Sequence, residues 1–145
     1  MEYKIEKIED NLEAIKPLIE SYWEEVDERR EDTSGNIDYS IYLRLEELDL
    51  AFLVTAKEEE ELIGFIVYIV SPCTHTSVLK TTAEILFVKE EYRGGSIAAK
   101  MVEKLEECAP KDSYIFFTLK TEFPHNKLIS SLGYSHVENV YMKGN

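Results

Sequence analysis

Ala83-Glu84-Ile85-Leu86-Phe87-Val88-Lys89-Glu90-Glu91-Tyr92-Arg93-Gly94-Gly95-Ser96-Ile97-Ala98 is the stretch that decides the architecture. Thr82 to Val88 is apolar on both faces, as a central strand is. Ile97, Met101, Val102, Leu105 and Cys108 then recur at helical spacing, and Pro110 ends that helix. Two glycines stand between strand and helix. Glycine lets backbone N–H groups approach an anion with no Cβ in the way. A helix N-terminus adds free N–H groups and a partial positive charge. Together they form a pyrophosphate cradle. The turn lacks the Lys-Ser/Thr pair of a P-loop and the GxGxxG spacing of dinucleotide folds. On the glycines alone, a strand–helix turn that merely needs glycine is an equal alternative.

Outward from this element the pattern alternates between strand and helix. Tyr3 to Ile8 reads as a first strand, and Asn11 offers a cap for the helix that follows. Leu12, Ile15, Leu18, Ile19, Tyr22, Trp23 and Val26 line one face of that helix, with Pro17 marking a kink or a later start. Glu24 to Asp32 is a charge run, and Thr33 to Asn36 a turn cluster. Ile37, Ile41, Tyr42, Leu45 and Leu48 make a second short helix. Leu50 to Ala56 and Leu62 to Val70 form a hairpin across Lys57 to Glu61. Past the central element come a buried strand at Tyr114 to Leu119, a short helix at Asn126 to Leu132 closed by Gly133, and a last strand at Val137 to Met142. The order βααβββαβαβ describes one α/β domain over residues 1–145.

The formal charge of −13 argues against a nucleic-acid binder, which carries a basic patch, and against docking on an anionic membrane. It favours a cationic partner such as an amine. Cys73 and Cys108 have neither metal nor redox spacing and read as free thiols in a reducing compartment, with Cys108 on the helix's core face. The segment Met1 to Glu6 has no features of a signal peptide, and the apolar run Leu62 to Val70 falls short of a bilayer span. A cytoplasmic protein is expected.

The stretch Ala83 to Ala98 resembles the acetyl-CoA motif of the GNAT N-acetyltransferase superfamily, Gln/Arg-x-x-Gly-x-Gly/Ala after a strand ending in Val. Arg93 and Ala98 match its first and last places, and Ser96 stands where Gly is usual. The element order resembles that family over nearly the whole chain. The helix with Trp23, the Ser71-Pro72 loop and Leu132-Gly133-Tyr134 are similar to small GNAT-like proteins encoded by bacteriophages. The resemblance implies a mixed central sheet whose two central strands splay apart. It implies acetyl-CoA as co-substrate, no metal, and an amine acceptor, with a homodimer left open. Backbone groups at Phe87 and Val88 would bind the pantetheine arm. Arg93, Gly94, Gly95, Ser96, Ile97 and Ala98 would hold the pyrophosphate.

Acyl transfer needs a neutral amine, and a lysine-like amine near pKa 10.4 is only about one part in a few thousand neutral at pH 7. A general base lifts that limit. Glu84, a carboxylate in an otherwise apolar strand, is the first candidate, and relatives often carry a glutamate at this place. His125, at the start of the short helix, is the second. His75 and His136 lie in loops without a partner pattern. Relatives often place a Tyr in the late helix and an Asn before it; those places hold Ile129 and Glu122 here. Tyr134 reads as core packing. Arg93, Lys100 and Lys127 are the cations expected near the phosphates. These features leave two functions. One is an N-acetyltransferase acting on a primary amine of a small molecule or protein. The other is a catalytically weak GNAT-fold interaction module, phage-encoded and aimed at a host target.

Overall fold

A computed structural model describes residues 1–26, 37–121 and 125–145. Its elements are β1 (Glu2–Glu6), α1 (Ile8–Val26), α2 (Tyr39–Glu47), β2 (Ala51–Glu58), β3 (Glu61–Pro72), β4 (Leu79–Val88), α3 (Ile97–Cys108), β5 (Ser113–Phe117) and α4 (Asn126–Ser131). One 3-10 turn, Glu90–Tyr92, stands between β4 and α3. The strands lie side by side in the order β1-β2-β3-β4-β5. The first four run antiparallel, and β5 joins β4 in parallel. Leu53 and Val54 point to opposite faces of the sheet, and both are fully buried, so both faces are covered. α3 packs across β1 to β4, while α2 lies against β2 and α1.

Helix α1 begins earlier than the sequence suggests. Its first amides, those of Ile8 and Glu9, donate to the Glu46 carboxylate of α2 at 2.6 and 3.1 Å. Glu46 therefore satisfies donors that a cap residue would otherwise take. Asn11 lies a turn inside the helix, where its side-chain amide donates to the Lys7 carbonyl at 2.9 Å. Pro17 neither starts nor stops the helix. It sits on the exposed face of the helix. The β2–β3 hairpin turns on Glu59 and Glu60, both at positive φ (49° and 71°), a shape for which glycine or asparagine is usual.

Three expectations need correction. Residues 135–145 form no strand, so the observed order is βααβββαβα. Val137, Val140, Tyr141 and Met142 share no period-two stripe, and all are more than 60% exposed. β5 is an edge strand with Tyr114 68% exposed, rather than a strand buried on both faces. Cys108 is exposed at the end of α3, because Ala109 continues the stripe of Ala98, Met101, Val102 and Leu105. The Thr33 to Asn36 turn and most of the Glu24 to Asp32 charge run lie outside the described residues.

The splay between central strands is present. β4 pairs with β5 only from Leu79↔Ser113 to Ala83↔Phe117, and the last bond runs from the Thr118 amide to the Ala83 carbonyl at 3.0 Å. Among the described residues, Ile85 to Val88 pairs with β3 alone. Across β3 the register also slips here: Val67 faces Ile85 and Tyr68 faces Ala83, so Glu84 is the extra residue of a β-bulge. A bulge bends its strand and re-aims its side chain. This one sits where β4 leaves β5.

Candidate active site

Past the bulge, β4 ends in the glycine turn. The Lys89 amide donates to the Ile63 carbonyl at 2.9 Å, holding the strand end to β3. The trans peptide then turns the Val88 carbonyl away from β3, toward the open side. Gly94 takes φ +86°, which explains one glycine by backbone shape. Gly95 has no such φ, and a Cβ there would meet nothing within 4 Å. Nothing inside the fold demands glycine at 95; the bare backbone faces open space. Ser96 is the N-cap of α3 at φ −99°, ordinary for serine, so the departure from the usual glycine costs nothing. Its side chain makes no capping bond.

This turn forms one wall of a cleft of about 290 Å³. Val88, Tyr92, Arg93, Gly94, Gly95, Ile97 and Ala98 line it, together with His125 and Leu128. Phe87 and Ser96 adjoin the cleft without lining it. Lys100 sits over the Tyr3 ring instead, at 6.0 Å, and exposed Lys127 is not part of the lining. Among the described residues, Arg93 is the only cation that lines the cleft. Its Nε donates to the Val88 carbonyl at 2.7 Å, and its Nη2 donates to both oxygens of Glu25 at 2.9 and 2.8 Å. The guanidinium lies 5.3 Å from the centre of the Phe87 ring.

The two catalytic candidates occupy different surroundings. His125 is buried, and burial foremost, then the Arg93 charge, holds its imidazole down to about 4, with Glu25 pulling the other way. It is neutral at pH 7 and has no imidazolium proton to give. Glu84 is half-buried at the bulge and does not line the cleft. Burial raises its carboxyl above the usual carboxylate range. Among the described residues its side chain has no hydrogen bond or ion pair. Tyr42 of α2 lies near enough that the Glu84 charge, after burial, raises its phenol.

Ile129 fills a buried place in α4, so no proton donor stands there. Tyr134 packs edge-on to Phe117 at 5.0 Å and donates to Glu106 at 2.7 Å, a packing role with a polar tip. His75 and His136 are exposed, and Glu122 lies outside the described residues. The bulge, the Tyr42 neighbour and the Glu25 partner of Arg93 have no local signal in the sequence; Glu25 is 68 residues from Arg93.

With that geometry in hand, comparison with known proteins is decisive. The model of the acetyltransferase (GNAT) family matches residues 12–134. The chain belongs to that family. No match is found among curated proteins. Among solved structures, an aminoglycoside acetyltransferase from an uncultured soil metagenomic sample superposes with TM-score 0.74 at 20% identity, covering 100% of both chains. A predicted acetyltransferase with acetyl-CoA from Clostridium acetobutylicum gives TM-score 0.74 at 14% identity, covering 99% of this chain and 95% of that one. A ribosomal-protein-alanine N-acetyltransferase from Brucella melitensis biovar Abortus gives 0.72 at 16%, again over 100% of both. At these identities the likeness is one of fold. Among the described residues no helix is long and apolar enough to cross a membrane.

Proposed function

We propose that this chain is an acetyl-CoA-dependent N-acetyltransferase, working as a single cytoplasmic domain on a primary amine of a small molecule or protein. The observation that carries the reading is the open edge of β4 from Glu84 to Val88, running straight into a cleft walled by the Arg93 to Ala98 turn. The space in front of Gly95 suits a pyrophosphate, which bare backbone amides and a helix start bind. The structure with acetyl-CoA from Clostridium acetobutylicum supports this choice of ligand.

Acetyl-CoA supplies the activated acetyl group as a thioester. The chain's part is to seat it and to manage one proton. The turn from Gly94 to Ala98 seats the pyrophosphate, and Phe87 and Val88 hold the arm alongside β4. Glu84 is the base. It takes one proton from the acceptor's ammonium, directly or through a water; the freed lone pair then bonds to the acetyl carbon, and as the carbon–sulfur bond breaks the second N–H proton, now acidic, passes to solvent. A carboxyl raised by burial holds that proton better than an ordinary glutamate. The leaving sulfur keeps its electron pair. With Ile129 in α4 and neutral His125 in the cleft wall, its proton comes from solvent; a thiol near pKa 8.5 leaves without an acid.

Ile129 also favours a second reading, an interaction module with little catalysis, and the resemblance to phage-encoded proteins belongs with it. One experiment separates the two. Free CoA thiol is measured with acetyl-CoA and a panel of primary amines, for the wild type and Glu84→Gln. The enzyme reading expects turnover with at least one amine, and a kcat about 10²-fold lower in the variant at nearly unchanged acetyl-CoA affinity. Acetyl-CoA binding without turnover on any amine selects the interaction module.

A further inference from the structure

Arg93, the cation that lines the cleft among the described residues, is already engaged. Arg93 Nη2 is shared between the two oxygens of Glu25, and its Nε is fixed to the Val88 carbonyl. Glu25 comes from the last turn of α1. That turn also carries Tyr22, whose ring meets Phe87 edge-on at 6.5 Å, and Trp23, whose ring has the Lys120 ammonium 5.2 Å from its centre. Phe87 is near the end of β4, and Lys120 follows β5. The end of α1 therefore reaches both strands at the point where they diverge, and the Arg93–Glu25 pair is its ionic clasp to the cleft.

The two side chains are 20% and 30% exposed. In that setting, removing one partner leaves a poorly hydrated charge, so the pair opens readily only when another partner takes over. A phosphate is such a partner: it offers guanidinium the same two-oxygen fork with at least the charge of a carboxylate. We propose that Glu25 is the positioning residue for Arg93, holding its guanidinium at the cleft wall until a phosphate of the co-substrate displaces the carboxylate. The proposal rests on the cleft being the acetyl-CoA site. Under it Glu25 weakens cofactor binding, and cofactor entry frees the last turn of α1.

Calorimetric titration of acetyl-CoA into the wild type, Glu25→Gln, Arg93→Gln and the double variant tests this. Trp23, the chain's only tryptophan, reports the state of the turn through its emission. Glu25→Gln is expected to bind about fivefold or more tighter than wild type, and Glu25→Asp, with its carboxylate drawn back, to gain less. In the Arg93→Gln background the same Glu25→Gln change is expected to alter affinity by less than about twofold. Wild-type Trp23 emission should shift on binding, and ligand-free Glu25→Gln should already show the shifted emission. Unchanged or weaker binding by Glu25→Gln overturns the proposal and leaves the acetyl-CoA reading intact. An equal gain in both backgrounds also overturns it, making Glu25 a general repulsive charge. Failure of the wild type to bind acetyl-CoA removes the proposal and the reading together.

Discussion

Glu84 and His125 are two titratable groups moved in opposite directions by one cause. Burial raises the carboxyl of Glu84 and lowers the imidazole of His125, because it penalises whichever form is charged. The signs for stability follow. The folded pKa of Glu84 lies above its ordinary value of 4.5, so its contribution is present at low pH and is lost as pH rises from there through the raised pKa. His125 falls from 6.5 to about 4, so its contribution is present above pH 6.5 and is lost as pH falls toward 4. For His125 this amounts to about 2 kcal/mol between pH 7 and pH 5. His125→Gln is expected to flatten the stability profile across that interval, as read from urea midpoints at the two pH values. An equally steep profile in the variant would mean that His125 is not buried neutral. Glu84 was legible as a candidate because a carboxylate stands out in an apolar run. Glu25 was not, because only the fold brings α1 to the glycine turn.

At the level of elements, the apolar runs located every strand that packs on both sides, and periodicity located the core helices. The errors fall where a neighbour decides. Glu46 caps α1 from another helix, and Ala109 takes the core place that spacing assigned to Cys108. Val137 to Met142 has strand-forming residues but no arrangement that buries them. The bulge at Glu84 was invisible, since a register slip leaves no mark in one strand's sequence. Gly64 shows how closely β3 and the end of β4 fit. A Cβ at Gly64 would stand 2.8 Å from the Phe87 carbonyl oxygen and 3.2 Å from Met101. The nearer atom is backbone and can yield only by moving the strand. Gly64→Ala is therefore expected to cost about 1–3 kcal/mol in urea denaturation and to weaken acetyl-CoA binding by displacing β4 next to the cleft. A variant as stable as wild type would show that the strand end yields freely.

Across the whole molecule, 16 basic residues stand against 29 acidic ones. A field of that sign draws cationic amines and repels the phosphates of the co-substrate, so the two substrates should respond to salt in opposite ways. Screening to a Debye length of about 3 Å at 1 M salt should raise KM for a polycationic or lysine-rich acceptor while kcat changes little. Steady-state kinetics at low and high salt checks this, and a salt-independent KM, or a preference for neutral amines, would leave the charge a matter of solubility. The family match over residues 12–134 says what kind of protein this is; under the proposed function, the Gly94 to Ala98 turn is where the co-substrate lies. That turn is best tested at Gly95, where a new side chain meets open space and leaves the fold alone. The deciding measurement is calorimetric titration of acetyl-CoA into the wild type and Gly95→Asp, whose carboxylate would oppose the pyrophosphate. The account predicts binding by the wild type, an affinity at least about tenfold lower in the variant, and equal melting temperatures without ligand. Equal affinities in two folded proteins, or no binding by the wild type, would contradict it.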